Sequence, residues 1–268
     1  MCSTKGGTGK TRVTAGLGRG IHSLGFKVGF FDMDWVAPTL HIELGVKSDS
    51  KLSLSNGVGD VIQPVITPEG YPLISSAFIF PDDQAILADE ESKVKDILEL
   101  TTPGVINWGD IDYLMVDTPP STEKFIQNAL KISNLHGVVL VSQPAVASLT
   151  DLIRTVSLMR DLEIPVLGMI GNQVYLVCPH DGEKINLYDL GEEDLSKFCR
   201  IQGVPFLGGI PHVIPGSSSF DLNGISERVI SREAVVLKKL SSSTLPYKLL
   251  VALIRKRRVD NGEVKPTY

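Results

Sequence analysis

The chain has 268 residues, of which 43% are hydrophobic and 21% charged; its net charge of −5 gives no global attraction to nucleic acid or an anionic membrane. Its three cysteines make no disulfide framework, no apolar run approaches the ~20 residues that span a bilayer, and the glycine-rich start leaves no room for a signal peptide in the chain as given. A soluble cytoplasmic protein is the expectation.

The first feature along the chain is "STKGGTGKT", Ser3 to Thr11. Such a loop normally follows a strand of roughly five apolar residues, yet only Met1 and Cys2 precede it. The chain as given is therefore expected to begin inside its first strand, and an in-frame apolar stretch upstream would agree. Val13, Leu17, Ile21 and Leu24 then recur at helical spacing, with Gly25 as a stop signal. Gly16, Gly18 and Gly20 each weaken that helix by ~1 kcal/mol relative to alanine, so packing must hold it. Continuously apolar runs predict strands at 27–32, 71–75, 112–117, 136–142, 165–171 and 204–210. The charged stretch 82–100 reads as a solvated helix and its approach. Leu149, Leu152, Val156 and Met159 mark another helix. Strands separated by helices imply an α/β fold with one doubly wound, mostly parallel sheet and helices on both faces. Nothing divides the chain, so a single domain over 1–268 is expected, with 220–268 as its C-terminal helical region. The segment 250–259 ends in Arg255, Lys256, Arg257 and Arg258. It reads as a plain final helix with cations at its C-terminus, a weak membrane or nucleic-acid contact being the alternative.

The chemistry concentrates in three places. In the opening loop, Gly6, Gly7, Thr8 and Gly9 allow backbone N–H groups to converge on phosphate oxygens. Lys10 neutralises the β- and γ-phosphates there, and the Thr11 hydroxyl ligates Mg²⁺. The general pattern's first glycine is replaced by Ser3 or Thr4, and Lys5 is added. At the end of the second predicted strand, "FFDMD" delivers Asp32 and Asp34. Residues i and i+2 of a strand point the same way, so Asp32 can orient Mg²⁺ through water while Asp34 places the attacking water; a pair that merely caps a helix is the alternative. The apolar run "DYLMVD" ends in Asp117, which reads as a second aspartate for the water shell of the metal.

Taken together, K-G-G-x-G-K-T, "DMDWVAPTLHIELGV", "VINWGDIDYLMVDTPPST", the run from "SQPAVASL" to "CPHDGE" and "FLGGIPHVI" resemble, in order, the Mrp-type P-loop ATPases of the MinD/ParA superfamily. The likeness covers roughly residues 3–225. The resemblance implies ATP and Mg²⁺ as ligands and a homodimer whose Lys5 reaches the partner's nucleotide, as an arginine finger does. It also implies that Asn172 hydrogen-bonds adenine and that Pro211 lies against the base. The family carries iron–sulfur clusters to apo-proteins on paired cysteines in C-P-x-C. Here that motif is Cys178, Pro179, His180 and Asp181, which leaves one soft thiolate per subunit. A differently used loop is the preferred reading, and a cluster held by Cys178 with His180 or Asp181 is the alternative. The family's P-P-G-T-x-D is also changed, to Pro119, Pro120, Ser121, Thr122 and Glu123. The expected function is therefore a dimeric, Mg²⁺-dependent ATPase in iron–sulfur cluster carriage or assembly. Its rivals are a MinD/ParA-like positioning or partition switch and a nucleotide-binding regulator without turnover.

Overall fold

The computed structural model describes residues 1–3, 6–34, 37–55, 61–79, 99–100, 104–119, 135–212 and 222–237. In chain order these form α1 (Lys10–Ser23), β1 (Val28–Asp32), α2 (Leu40–Glu43), β2 (Ser53–Ser55), β3 (Val61–Gln63), β4 (Val65–Ile66), β5 (Pro72–Ser75) and β6 (Tyr113–Asp117). They continue as β7 (Val138–Ser142), α3 (Val146–Asp161), β8 (Pro165–Gly171), β9 (Tyr175–Val177), β10 (Lys184–Asn186), α4 (Glu192–Gln202), β11 (Phe206–Gly209), α5 (Asn223–Ile230) and β12 (Val235–Val236). The mixed α/β class and the mostly parallel pairing agree with the sequence, and the six strands predicted from apolar runs are each present within two residues of their expected ends, whereas no strand precedes α1 among the described residues. The contacts group the chain into two units: Met1–Cys2 with Gly9–Leu135 and Asp221–Arg232, and Ser3–Thr8 with His136–Phe220 and Glu233–Tyr268.

In the first unit the sheet order is β4-β5-β1-β6, parallel except for β4. All five residues of β1 are buried, as a continuously apolar parallel strand requires. Helix α1 packs on this sheet through Val13, Leu17 and Ile21, each at most 1% exposed. Its glycines are explained by close approach. A Cβ on Gly18 would lie 2.3 Å from the Phe30 ring, and one on Gly20 would lie 2.2 Å from Ser226 Oγ on α5. The Met1 amine donates to the Val116 carbonyl (2.6 Å), Thr118 Oγ1 donates to the Met1 carbonyl (2.7 Å), and Cys2 is buried.

In the second unit β7 and β11 run parallel to β8, and β12 pairs antiparallel with the start of β8. Helix α3 buries Leu149, Leu152, Val156 and Met159, the side chains its periodicity marks. Helix α4 is not among the expected elements, although Leu195, Phe198 and Cys199 form a buried stripe at helical spacing and Gly203 ends it in the left-handed conformation. The β9–β10 hairpin and the β2–β3 pair were missed because each strand is only three residues long, too short for its pattern to stand out from the surrounding loop. The C-terminal region, expected to be helical, contains α5 and then strand β12 in its described part. The segments 82–98 and 250–259, along with Pro120 to Glu123, lie outside the described residues.

Candidate nucleotide and metal site

Gly9 is the N-cap of helix α1, and its φ of 81° places it in the left-handed region that glycine adopts without a Cβ penalty. Gly7 has a similar φ of 78°. The tight, glycine-dependent turn read from the sequence is therefore present. Lys10, the first residue of the helix, is buried.

One turn of α1 faces the end of β6. Thr11 Oγ1 donates to Asp117 Oδ2 at 2.6 Å, and Thr14 Oγ1 donates to Asp117 Oδ1 at 3.1 Å. Parallel pairing of β1 with β6 sets Asp32 beside Asp117 in register. Both carboxylates are 1% exposed. Asp32 accepts from the Asp34 N–H (3.0 Å), the Leu40 N–H (3.2 Å) and Ser75 Oγ (3.1 Å). Burial, reinforced by the neighbouring Asp117 carboxylate, still pushes Asp32 up to about 7. Two buried carboxylates side by side, with a threonine hydroxyl at the edge, form a set of hard oxygen donors suited to a divalent cation. Among the described residues no three His, Cys, Asp or Glu side chains cluster as a metal cage. The structure places Thr11, Asp32 and Asp117, the three residues expected at the metal, next to one another. Thr14 and Ser75 were missed; Thr14 had a faint signal, lying one helical turn beyond Thr11.

Asp34 is half-buried, and its Oδ1 accepts from the Ala37 N–H at 3.1 Å. Thr39 Oγ1 in this same segment stands 3.5 Å from Thr11 Oγ1. Lys5 lies outside the described residues.

The loop's earlier half belongs to the second unit. Thr8 is buried; its Oγ1 donates to Ser3 Oγ at 3.0 Å, and its carbonyl accepts from Asn172 Nδ2 at 2.8 Å. Gly6 and Gly7 are exposed. Asn172, expected at adenine, here grips the loop backbone. Pro211 is half-buried just beyond β11, between Ile210, whose N–H donates to the Gly171 carbonyl, and His212, whose N–H donates to the Tyr175 carbonyl.

Cys178 sits at the tip of the β9–β10 hairpin. The Cys178 N–H donates to the Glu183 carbonyl and the Gly182 N–H to the Cys178 carbonyl, both at 2.9 Å. Its side chain is half-buried, whereas Cys2 and Cys199 are buried. The Cys178 thiol hydrogen-bonds Asp181, which holds that carboxyl below its usual range. His180 and Asp181 are exposed beside it.

A glycine-rich turn opening a helix, with its threonine bonded to an aspartate at the end of a parallel strand, defines a P-loop nucleotide-binding protein of the α/β class. The family described as NUBPL iron-transfer P-loop NTPase, a ParA family, matches residues 1–239, and the chain belongs to it. An iron–sulfur cluster carrier protein of Methanocaldococcus jannaschii is 30% identical over 222 residues, 82% of this chain and 74% of that protein. A cytosolic Fe-S cluster assembly factor NUBP2 homolog of Nematostella vectensis is 32% identical over 252 residues, 89% of this chain and 90% of that protein. Among solved structures, the nucleotide-binding protein of Archaeoglobus fulgidus in complex with ADP superposes with a TM-score of 0.64 at 28% identity, covering 86% of each chain. The MinD cell division protein of Aquifex aeolicus, with a TM-score of 0.51 at 22% identity over 100% of this chain and 97% of its own, shares the fold.

Proposed function

We propose that this protein is a cytoplasmic, Mg²⁺-dependent ATPase that works as a homodimer and carries iron–sulfur clusters as cargo to apo-proteins. The observation that carries the reading is the Thr11–Asp117–Asp32 cluster at the start of α1. Membership of an iron-transfer P-loop NTPase family, and the ADP bound to the Archaeoglobus fulgidus relative, support it. Among the described residues no helix is long and apolar enough to cross a membrane.

In this reading the amides of Gly6 to Gly9 and the Lys10 ammonium bind the phosphates. Thr11 holds Mg²⁺, with Asp32 and Asp117 fixing its water shell. Bound there, the ion supplies charge neutralisation at the β- and γ-phosphates. Asn172 and Pro211 take the adenine. Asp34 places the attacking water, and Lys5, contributed by the partner subunit, offsets charge developing on the γ-phosphate. Cys178 is the thiolate offered to cargo, and one thiolate from each subunit makes cluster binding weaker than a paired-cysteine site.

The test is anaerobic loading with iron and sulfide, followed by absorbance, iron counting per dimer and transfer to an apo-ferredoxin, with ATP turnover measured in parallel. Turnover together with a charge-transfer band that Cys178→Ser abolishes is expected. Full ADP binding with no band removes the carrier role, and a Cys178→Ser variant that loads normally removes Cys178 as the ligand.

A further inference from the structure

The hairpin that presents Cys178 is closed at its base by a side-chain relay that ends on the phosphate-binding loop. Gln173, two residues before β9, and Tyr188, two residues after β10, meet there: Tyr188 Oη donates to Gln173 Oε1 at 3.1 Å. Gln143, one residue past the end of β7, donates from Nε2 to the same Gln173 Oε1 at 2.7 Å and to the Gly7 carbonyl at 3.4 Å. Gln173 itself adopts a φ of 56°, uncommon for a residue other than glycine. Its N–H donates to Asn172 Oδ1 at 3.0 Å, which fixes the Asn172 amide with Nδ2 towards the Thr8 carbonyl.

We infer that Gln143, Gln173 and Tyr188 are positioning residues for the phosphate-binding loop, setting the plane of its Gly7–Thr8 peptide. A trans peptide is planar, so a carbonyl held on one side aims the N–H of the same unit to the other side. Gln143 holds the carbonyl of the peptide whose N–H belongs to Thr8, and Asn172 holds that of the next peptide. Glycines let the loop take this shape, but the freedom that lets it form also lets it flip. Gly7 makes this acute, because among the described residues a Cβ built on it meets nothing within 4 Å. Gln173 matters because one acceptor oxygen takes both the Tyr188 hydroxyl and the Gln143 amide. It thereby decides which end of the Gln143 amide faces Gly7: with Nε2 drawn towards Gln173, the Gly7 carbonyl meets a donor and not the Gln143 oxygen. Tyr188 acts on the loop through this chain. The nucleotide affinity of the loop is thereby tied to the base of the Cys178 hairpin.

The inference rests on the nucleotide-binding reading above, and titration calorimetry of ADP separates the two. The full chain is compared as wild type, Gln143→Met, Tyr188→Phe and the double variant, with AMP as a second ligand and melting midpoints recorded without nucleotide. Loss of one net hydrogen bond predicts about fivefold to tenfold weaker ADP binding for Gln143→Met, and about twofold to fivefold for Tyr188→Phe. The double variant is expected to bind as Gln143→Met does, because the inferred route from Tyr188 to the loop runs through Gln143. The loss is expected to be larger for ADP than for AMP, with melting midpoints close to wild type. Wild-type binding with unaltered variants, or losses that multiply in the double variant, overturns the relay and leaves the nucleotide reading standing. Wild-type protein that binds no ADP overturns both. Tyr188→Phe removes a single hydroxyl and keeps its ring, so it decides the matter even where Gln143→Met folds poorly.

Discussion

Residues decide the chemistry here by pairing across long stretches of chain. Thr11 meets Asp117 over a separation of 106 residues, and Thr14 meets it over 103. Replacing Thr11 by Val, which keeps shape and removes the hydroxyl, is expected to reduce the Mg²⁺-dependent gain in ADP affinity by about tenfold or more. Titrations with Mg²⁺ and with a chelator measure that gain, and an undiminished gain in the variant would show that Thr11 is no ligand. The cysteines separate as clearly. Burial pushes the Cys199 thiol up to about 12 and raises that of Cys2, so neither offers thiolate at pH 8. Iodoacetamide at that pH is expected to modify the half-buried Cys178 well before the other two, as read by peptide mass spectrometry. Equal labelling of all three would contradict the burial that separates them.

At the scale of elements, helix α1 shows how packing overrides propensity. Three glycines in one helix look like a weakness, but Gly18 and Gly20 let α1 lie against Phe30 and against Ser226 of α5. Gly18→Ala adds a Cβ 2.3 Å from a ring carbon. The overpacking, about 1–3 kcal/mol, outweighs a helix-propensity gain of about 1 kcal/mol. A lower urea midpoint at equal slope is expected. Gly224 on α5 has nothing within 4 Å of an added Cβ, so Gly224→Ala is expected to move the midpoint the other way. If both substitutions shift stability alike, close approach is not what keeps Gly18. Neither contact was legible in the sequence, which shows the glycines and their propensity penalty but not their neighbours. The predicted strands were legible because buried parallel strands are apolar on both faces. The hairpin at Cys178 was not, since strands β9 and β10 are short and half open to solvent.

For the whole molecule, the proposed dimer makes a measurable demand. The chain mass is 29.1 kDa, and light scattering with a slowly hydrolysed ATP analogue and Mg²⁺ is expected to give twice that value, returning to one chain on hydrolysis. Lys5→Ala is expected to abolish both the nucleotide-dependent dimer and turnover while keeping ADP binding within about twofold, because Lys10 and the loop amides remain. A variant that still dimerises and turns over removes the trans role of Lys5. By itself, the sequence determined the class of protein: the spelling of the P-loop, apolar strands ending in Asp32 and Asp117, and their spacing are local properties written in consecutive residues. Tertiary structure alone decided that Thr14 shares Asp117 with Thr11, that Ser75 steadies Asp32, and that Gln143, Gln173 and Tyr188 converge below the Cys178 hairpin. Those partnerships depend on strand register and on which helix turn meets which strand end. Packing of distant segments sets both, and no window of neighbouring residues encodes either.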